Sequence, residues 1–182
     1  MPRSLRRPEP NYFAATLCVA LAIWLTCAAQ ATLAQNQPLE DLAHFPQSTL
    51  TIKSGKNSHV FQIWTADTPA RKAQGLMFVR GLAADRGMLF VHEAPRVASM
   101  WMKNTYIPLD MVFIDANGKI AEIHANTTPH SLEIVSSRKP VLAVLELAAG
   151  EAAKRGLKPG DRVLHPALGT APSRGKKPTN AP

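Results

Sequence analysis

Residues 109–124 read L-D-M-V-F-I-D-A-N-G-K-I-A-E-I-H: an apolar run from Leu109 to Ile114, the turn Asp115-Ala116-Asn117-Gly118, and a second run from Lys119 to His124. Asn and Gly tolerate the left-handed backbone of a tight hairpin turn, so the two runs are predicted to pair as antiparallel strands. Upstream, Ala98 to Thr105 reads as another strand and Gly87-Met88-Leu89-Phe90-Val91 as a buried one, with Pro95 and Arg96 in the connection between them. Downstream, Val141 to Leu147 is an apolar strand that carries a single charge, Glu146.

The outer segments follow the same grammar. Leu50-Thr51-Ile52-Lys53, the turn Ser54-Gly55-Lys56-Asn57 and the alternating run Val60 to Trp64 predict a second hairpin. Thr68 is placed to cap a two-turn helix, with Pro69 at its first position and Gly75 ending it. Glu151 to Arg155 is predicted as one helical turn closed by Gly156, and Arg162 to His165 as a last short strand. Seven or eight short strands with two short helices define a mainly β domain, a compact antiparallel sandwich or small distorted barrel. The long crossover helices of a doubly wound α/β sheet are missing.

The 182 residues divide by composition into four parts. Residues 1–34 carry Arg3, Arg6 and Arg7 ahead of the apolar run Phe13 to Ala29, the pattern of an export signal cut near Ala34. An uncleaved membrane anchor is one alternative, and lipidation at Cys27 is another. Residues 35–44 read as a linker and 45–168 as one β-rich domain. Residues 169–182, with Arg174, Lys176 and Lys177 among Pro, Gly, Thr and Ser, read as a disordered basic tail.

Removal of the leader takes away three basic and one acidic side chain, lowering the net charge from +8 to +6. Cys18 and Cys27 leave with it, so the mature domain must be held by its core, without disulfides, thiolate nucleophiles or zinc–thiolate sites. The six histidines show no metal-ligand spacing, and the G-x-S-x-G, P-loop and G-x-G-x-x-G motifs are absent. No metal, no cofactor and no specific nucleic-acid partner is expected, and the membrane is met only through the leader.

The polar residues inside apolar stretches carry whatever chemistry there is, because a buried charge costs several kcal/mol unless it meets water, a partner or a ligand. In the run Met100 to Asp110, strand alternation puts Trp101 and Lys103 on one face. With Asn104, they form the wall of a candidate ligand pocket: Trp101 packs against a ring or sugar, and Lys103 and Asn104 bind its polar edge. The bland alternative is a packed Trp101 with Lys103 reaching outward to water. Asp110 is expected to fold back toward Lys103, either as a structural ion pair or as a ligand anchor or general base. Glu146 needs a partner if both faces of its strand are buried, and Lys103, Arg80 and Arg71 are the candidates. Asp110 and Glu146 are also a candidate acid–base pair acting on a glycan. Arg71 and Arg80 could offer forked donors to a carboxylate or phosphate.

Five segments together resemble one family: Arg71-Lys72-Ala73-Gln74-Gly75-Leu76-Met77, Gly87-Met88-Leu89-Phe90, Met100 to Asp110, Leu145-Glu146-Leu147 with Ala149-Gly150, and Gly160-Asp161-Arg162-Val163. They are similar to the bacterial and archaeal domain of unknown function family 192 over about Leu50 to Leu164. The resemblance implies a compact, β-rich, sandwich-like fold in a small and often exported protein. It brings no established activity. Met100 departs from the aromatic residue that often precedes the tryptophan.

The expected function is therefore a monomeric periplasmic or secreted binding module for a polar small molecule or envelope glycan. Its site would lie at Trp101, Lys103, Asn104 and Asp110, with Arg71, Arg80 or Glu146 in support. An envelope hydrolase or lyase using Asp110 and Glu146 is the alternative from another class, and a structural or assembly factor of the envelope is a third.

Overall fold

The computed structural model describes residues 39–170. The leader and the tail beyond Thr170 lie outside the described residues.

Nine strands alternate with two short helices: β1 (Gln47–Ser54), β2 (Asn57–Ala66), α1 (Pro69–Gln74), β3 (Arg86–Arg96), β4 (Ser99–Met100), β5 (Leu109–Ile114), β6 (Ile120–His124), β7 (Val135–Ser136), β8 (Val141–Ala148), α2 (Glu151–Lys154) and β9 (Arg162–Leu164). Seven of them form one sheet in the order β6-β5-β8-β3-β2-β1-β9, and β4 and β7 pair as a small second sheet. The large sheet curls into a half-barrel whose edges touch at one end. There Lys119 bridges to Arg162, Ile120 N–H donates to the Asp161 carbonyl (2.9 Å) and Val163 N–H donates to the Gly118 carbonyl (2.8 Å).

Both predicted hairpins form. In the β5–β6 turn Gly118 takes φ +70°, and Asp115 Oδ1 accepts the N–H groups of Asn117 and Lys119, replacing ladder bonds with an Asx turn. Thr68 caps α1 by accepting the Arg71 N–H, as expected. The sheet is antiparallel except where β2 pairs with β3 in parallel, through a crossover of residues 67–85 that contains α1. The parallel step was not visible in the sequence because α1, at six residues, is shorter than the crossover helix expected of such a unit.

Alternation divides the apolar residues into two cores. On the concave face Leu50, Ile52, Phe61, Ile63, Leu89, Val112, Ile114 and Leu145 pack together, with Ala152 and Leu157 of the α2 region closing the end. On the convex face Met88, Phe90, Met111, Phe113 and Val144 are covered by Phe45, Leu76, Ala98 and Met102. Each such fully buried side chain contributes roughly 1.5–3 kcal/mol. Strand β8 belongs to both cores, which explains its nearly unbroken apolar sequence.

One strand expectation is corrected. Only Ser99 and Met100 of the run 98–105 are extended and paired; the chain then turns, with Thr105 N–H donating to the Met102 carbonyl (3.0 Å) and Asn104 at φ +56°. Asn tolerates this left-handed conformation better than most residues, so Lys103-Asn104 is the tip of a turn. Residues 40–44, within the stretch read as a linker, dock on α1 through Glu40, whose N–H donates to the Gln74 side chain and whose carbonyl accepts from it.

Gly87 marks the tightest approach inside the sheet. A Cβ there would lie 2.6 Å from the Glu146 carbonyl oxygen and 2.9 Å from Leu147 Cδ2. Gly87→Ala is therefore expected to force β3 and β8 apart and to lower stability by about 1–3 kcal/mol, measured as an earlier urea midpoint. An unchanged midpoint would show that this strand pair yields at no cost.

Candidate functional site

Asp110 is completely buried, and both its oxygens are occupied. Oδ1 accepts the N–H of Asn126 and Oδ2 the N–H of Ala152, each at 2.9 Å. The carboxylate thus ties the start of α2 to the left-handed turn at Asn126 (φ +54°). Among the described residues no ion pair joins it to Lys103, contrary to the expectation of a shared site. Asp110 is a structural anchor.

Register also separates Asp110 from Glu146. Leu147 is the cross-strand partner of Asp110, and Glu146 is that of Met111, so the two carboxylates project from opposite faces of the sheet. The expected acid–base pair does not exist in this fold. Glu146 lies between Met88 and Met111 on the convex face, and burial pushes its carboxyl up to about 8. None of Lys103, Arg80 or Arg71 reaches it; among the described residues it forms no ion pair.

Arg71 is likewise used within the fold. Its guanidinium donates to both oxygens of Glu40, to Asp67 and to the His44 carbonyl, and it lies 5.1 Å from the centre of the Phe45 ring. These bonds hold the Glu40 and Asp67 carboxyls below the usual carboxylate range. The remaining named residues stay on the surface. Lys103 Nζ sits 5.1 Å from the ring centre of Trp101, which is 45% exposed. Asn104 turns its carbonyl to the Phe78 N–H (2.8 Å), and Arg80 lies over Tyr106 at 4.9 Å.

A groove runs beside this turn. The β3–β8 ladder shifts register between the pairs Val91–Ala143 and Arg96–Val141, and Pro95 can donate no ladder bond, so residues 92–95 bulge out of the ladder. A groove of about 530 Å³ opens there, lined by Lys72, Phe90, His92, Glu93, Arg96 and Met100 among others. Lys72, Phe90 and Met100 also line a small recess of about 30 Å³ whose wall includes Trp101 and Lys103, so the two cavities share a wall. His92 Nε2 is buried without a partner, and burial, followed by the charges of Arg96 and Lys72, lowers its pKa.

Phe78, Tyr106 and His130, near the expected Asn104, were not singled out by the sequence. Phe78, Asn104 and His130 all have positive φ, +63°, +56° and +61°, and surround Tyr106. Tyr106 meets Phe78 edge-on, with ring centres 5.8 Å apart, and lies 5.2 Å from His130. Left-handed backbone at a bulky aromatic is costly, and such strain concentrates at functional sites. Only Asn104 carried a turn signal; Phe78 and His130 depend on contacts to Asn104 and Thr105 that local sequence does not encode.

The fold and its groove define the class: a small curled β half-barrel with a groove lined by cations and aromatic side chains. Residues 50–165 match the model of the domain of unknown function 192 family, described as an uncharacterised ACR, and the chain belongs to that family. No curated protein matches it. Among the solved structures that match are two that align with about two thirds of this chain or more. One, from Sinorhizobium meliloti 1021 and described as a "putative transcription regulator", has 42% identity and a TM-score of 0.66 over 68% of this chain and 96% of its own. The other, from Novosphingobium aromaticivorans DSM 12444 and described as of unknown function, has 36% identity and a TM-score of 0.67 over 70% and 91%.

Two substitutions check these assignments. Asp110→Asn replaces one acceptor by a donor facing a backbone N–H, so it should cost about 1–3 kcal/mol in chemical denaturation; full stability would remove Asp110 from its anchoring role. For Glu146, the folded carboxyl titrates near 8 against 4.5 as its reference, so its contribution is complete below pH 4.5 and is lost as pH rises through 8. Glu146→Gln should therefore leave the melting temperature at pH 4 nearly unchanged and raise it at pH 8.5. Equal shifts at both pH values would contradict a buried, neutral Glu146.

Proposed function

We propose that this chain is an exported binding module whose groove takes a polar small molecule or envelope glycan. The observation that carries the reading is the groove at the β3 bulge, which shares the wall residues Lys72, Phe90 and Met100 with the recess lined by Trp101 and Lys103. It combines apolar surface from Phe90 and Met100 with the cations Lys72, Arg96 and Lys103. A few convergent polar groups on an apolar wall are what a small-ligand site requires. The leader read from the sequence supports a periplasmic or secreted location.

The fate of the other candidates supports binding over hydrolysis, since Asp110 is bonded to backbone and Glu146 faces away from it. One similar structure is described as a "putative transcription regulator", but the longest helix among the described residues has six residues. That supplies no element resembling a recognition helix for a DNA major groove.

Trp101→Ala tests the site, because a half-exposed side chain can be removed with little cost to folding. Retention on an immobilised envelope-glycan array is expected to fall about tenfold, the loss of one aromatic contact, while the melting temperature stays within a few degrees. Unchanged retention on every glycan that the wild type binds would remove Trp101 and the groove from the function.

A further inference from the structure

We infer that the ligand of this groove is an acidic oligosaccharide, its carboxylate or phosphate held between Lys72 and Arg96 and its sugar rings running past Trp101 and Lys103 toward Tyr106 and Arg80. The inference rests on the binding-module reading and names its ligand class.

Charge is the first argument. Lys72, Arg80, Arg96 and Lys103 form no ion pairs among the described residues, as is also true of Lys53, Lys56, Arg86, Lys119, Lys139 and Arg162, but Lys72 and Arg96 line one groove. Glu93 is the single acidic residue lining the larger groove, against Lys72, Arg96 and the partnerless His92 nitrogen. Lys72, His92 and Arg96 all line this one groove. Two cations on the wall of one groove raise its local positive potential and attract anions.

Shape is the second argument. Trp101 and Phe78 are 45% and 44% exposed, and Tyr106 lies beside Phe78. Aromatic rings held at a surface offer apolar area to the C–H faces of sugars, while Lys103, Arg80 and Asn104 offer donors to their hydroxyls. The strained backbone at Phe78 and Asn104 is tied together by the bond from Phe78 N–H to the Asn104 carbonyl, which holds this edge in a fixed conformation. A rigid platform loses little entropy on binding. The expected export of the chain favours a glycan over a nucleic acid as the anionic polymer.

Calorimetry on the full-length protein would compare trigalacturonic acid, neutral galactotriose, mannose 6-phosphate and a short oligothymidylate. The acidic trisaccharide is expected to bind about tenfold tighter than the neutral one at low ionic strength, and the preference should shrink as salt is raised. In Lys72→Met/Arg96→Met the preference should fall to about twofold, while Lys72→Arg/Arg96→Lys keeps it and both variants melt with the wild type. The mannose 6-phosphate arm separates phosphate from carboxylate recognition. Equal affinity for acidic and neutral sugars, with Trp101→Ala still weakening both, would overturn this inference and leave the binding module standing. Absence of binding to all the sugars would remove both readings, and tighter binding of oligothymidylate would replace the glycan by a nucleic acid.

Discussion

The structure depends on burial of both faces of β8. This strand is hydrogen-bonded to β3 on one side and β5 on the other, and its residues alternate between the core inside the half-barrel and the core on its convex face. A strand so placed must be apolar throughout, and Val141 to Leu147 is, apart from Glu146. Burial raises the pKa of that carboxyl, so the domain carries it as a neutral group where an ionised one would be expensive. Gly87 reflects the same constraint, since the neighbouring strand approaches too closely for a methyl group.

Once β8 is fixed, the other polar residues are distributed by the sheet's geometry. Asp110 lies on the concave side of β5, where it receives two backbone N–H groups and pins α2 across the barrel end. Arg71 holds the segment before β1 against α1 through Glu40. These bonds satisfy buried or half-buried groups, and they leave Lys72 and Arg96 without ion pairs on the wall of the groove at the β3 bulge, while Arg80 and Lys103 stack on Tyr106 and Trp101. The groove follows from that bulge, and its charge from the cations that line it.

The sequence exposed the hairpins and both helices well. Asn117-Gly118, Thr68 with Pro69, and the alternation in Val60 to Trp64 are local signals, readable because each element's preference comes from its own few residues. The parallel β2–β3 step was hidden because a short helix and a long loop replace the usual crossover helix. The run 98–105 looked extended from its apolar composition, but Asn104 turned it. Trp101 and Lys103 still lie side by side, now through a turn and a cation–π contact.

The sequence alone determined most of the strands and the hairpin turns between them, because periodicity and turn chemistry act over a few residues. The tertiary structure alone decided which charges meet. Asp110 and Glu146 are separated by a sheet, and Phe78, Tyr106 and His130 are gathered into one cluster. Such encounters are set by strand order and register between residues far apart in the chain, and a change of one position in register moves a side chain to the opposite face.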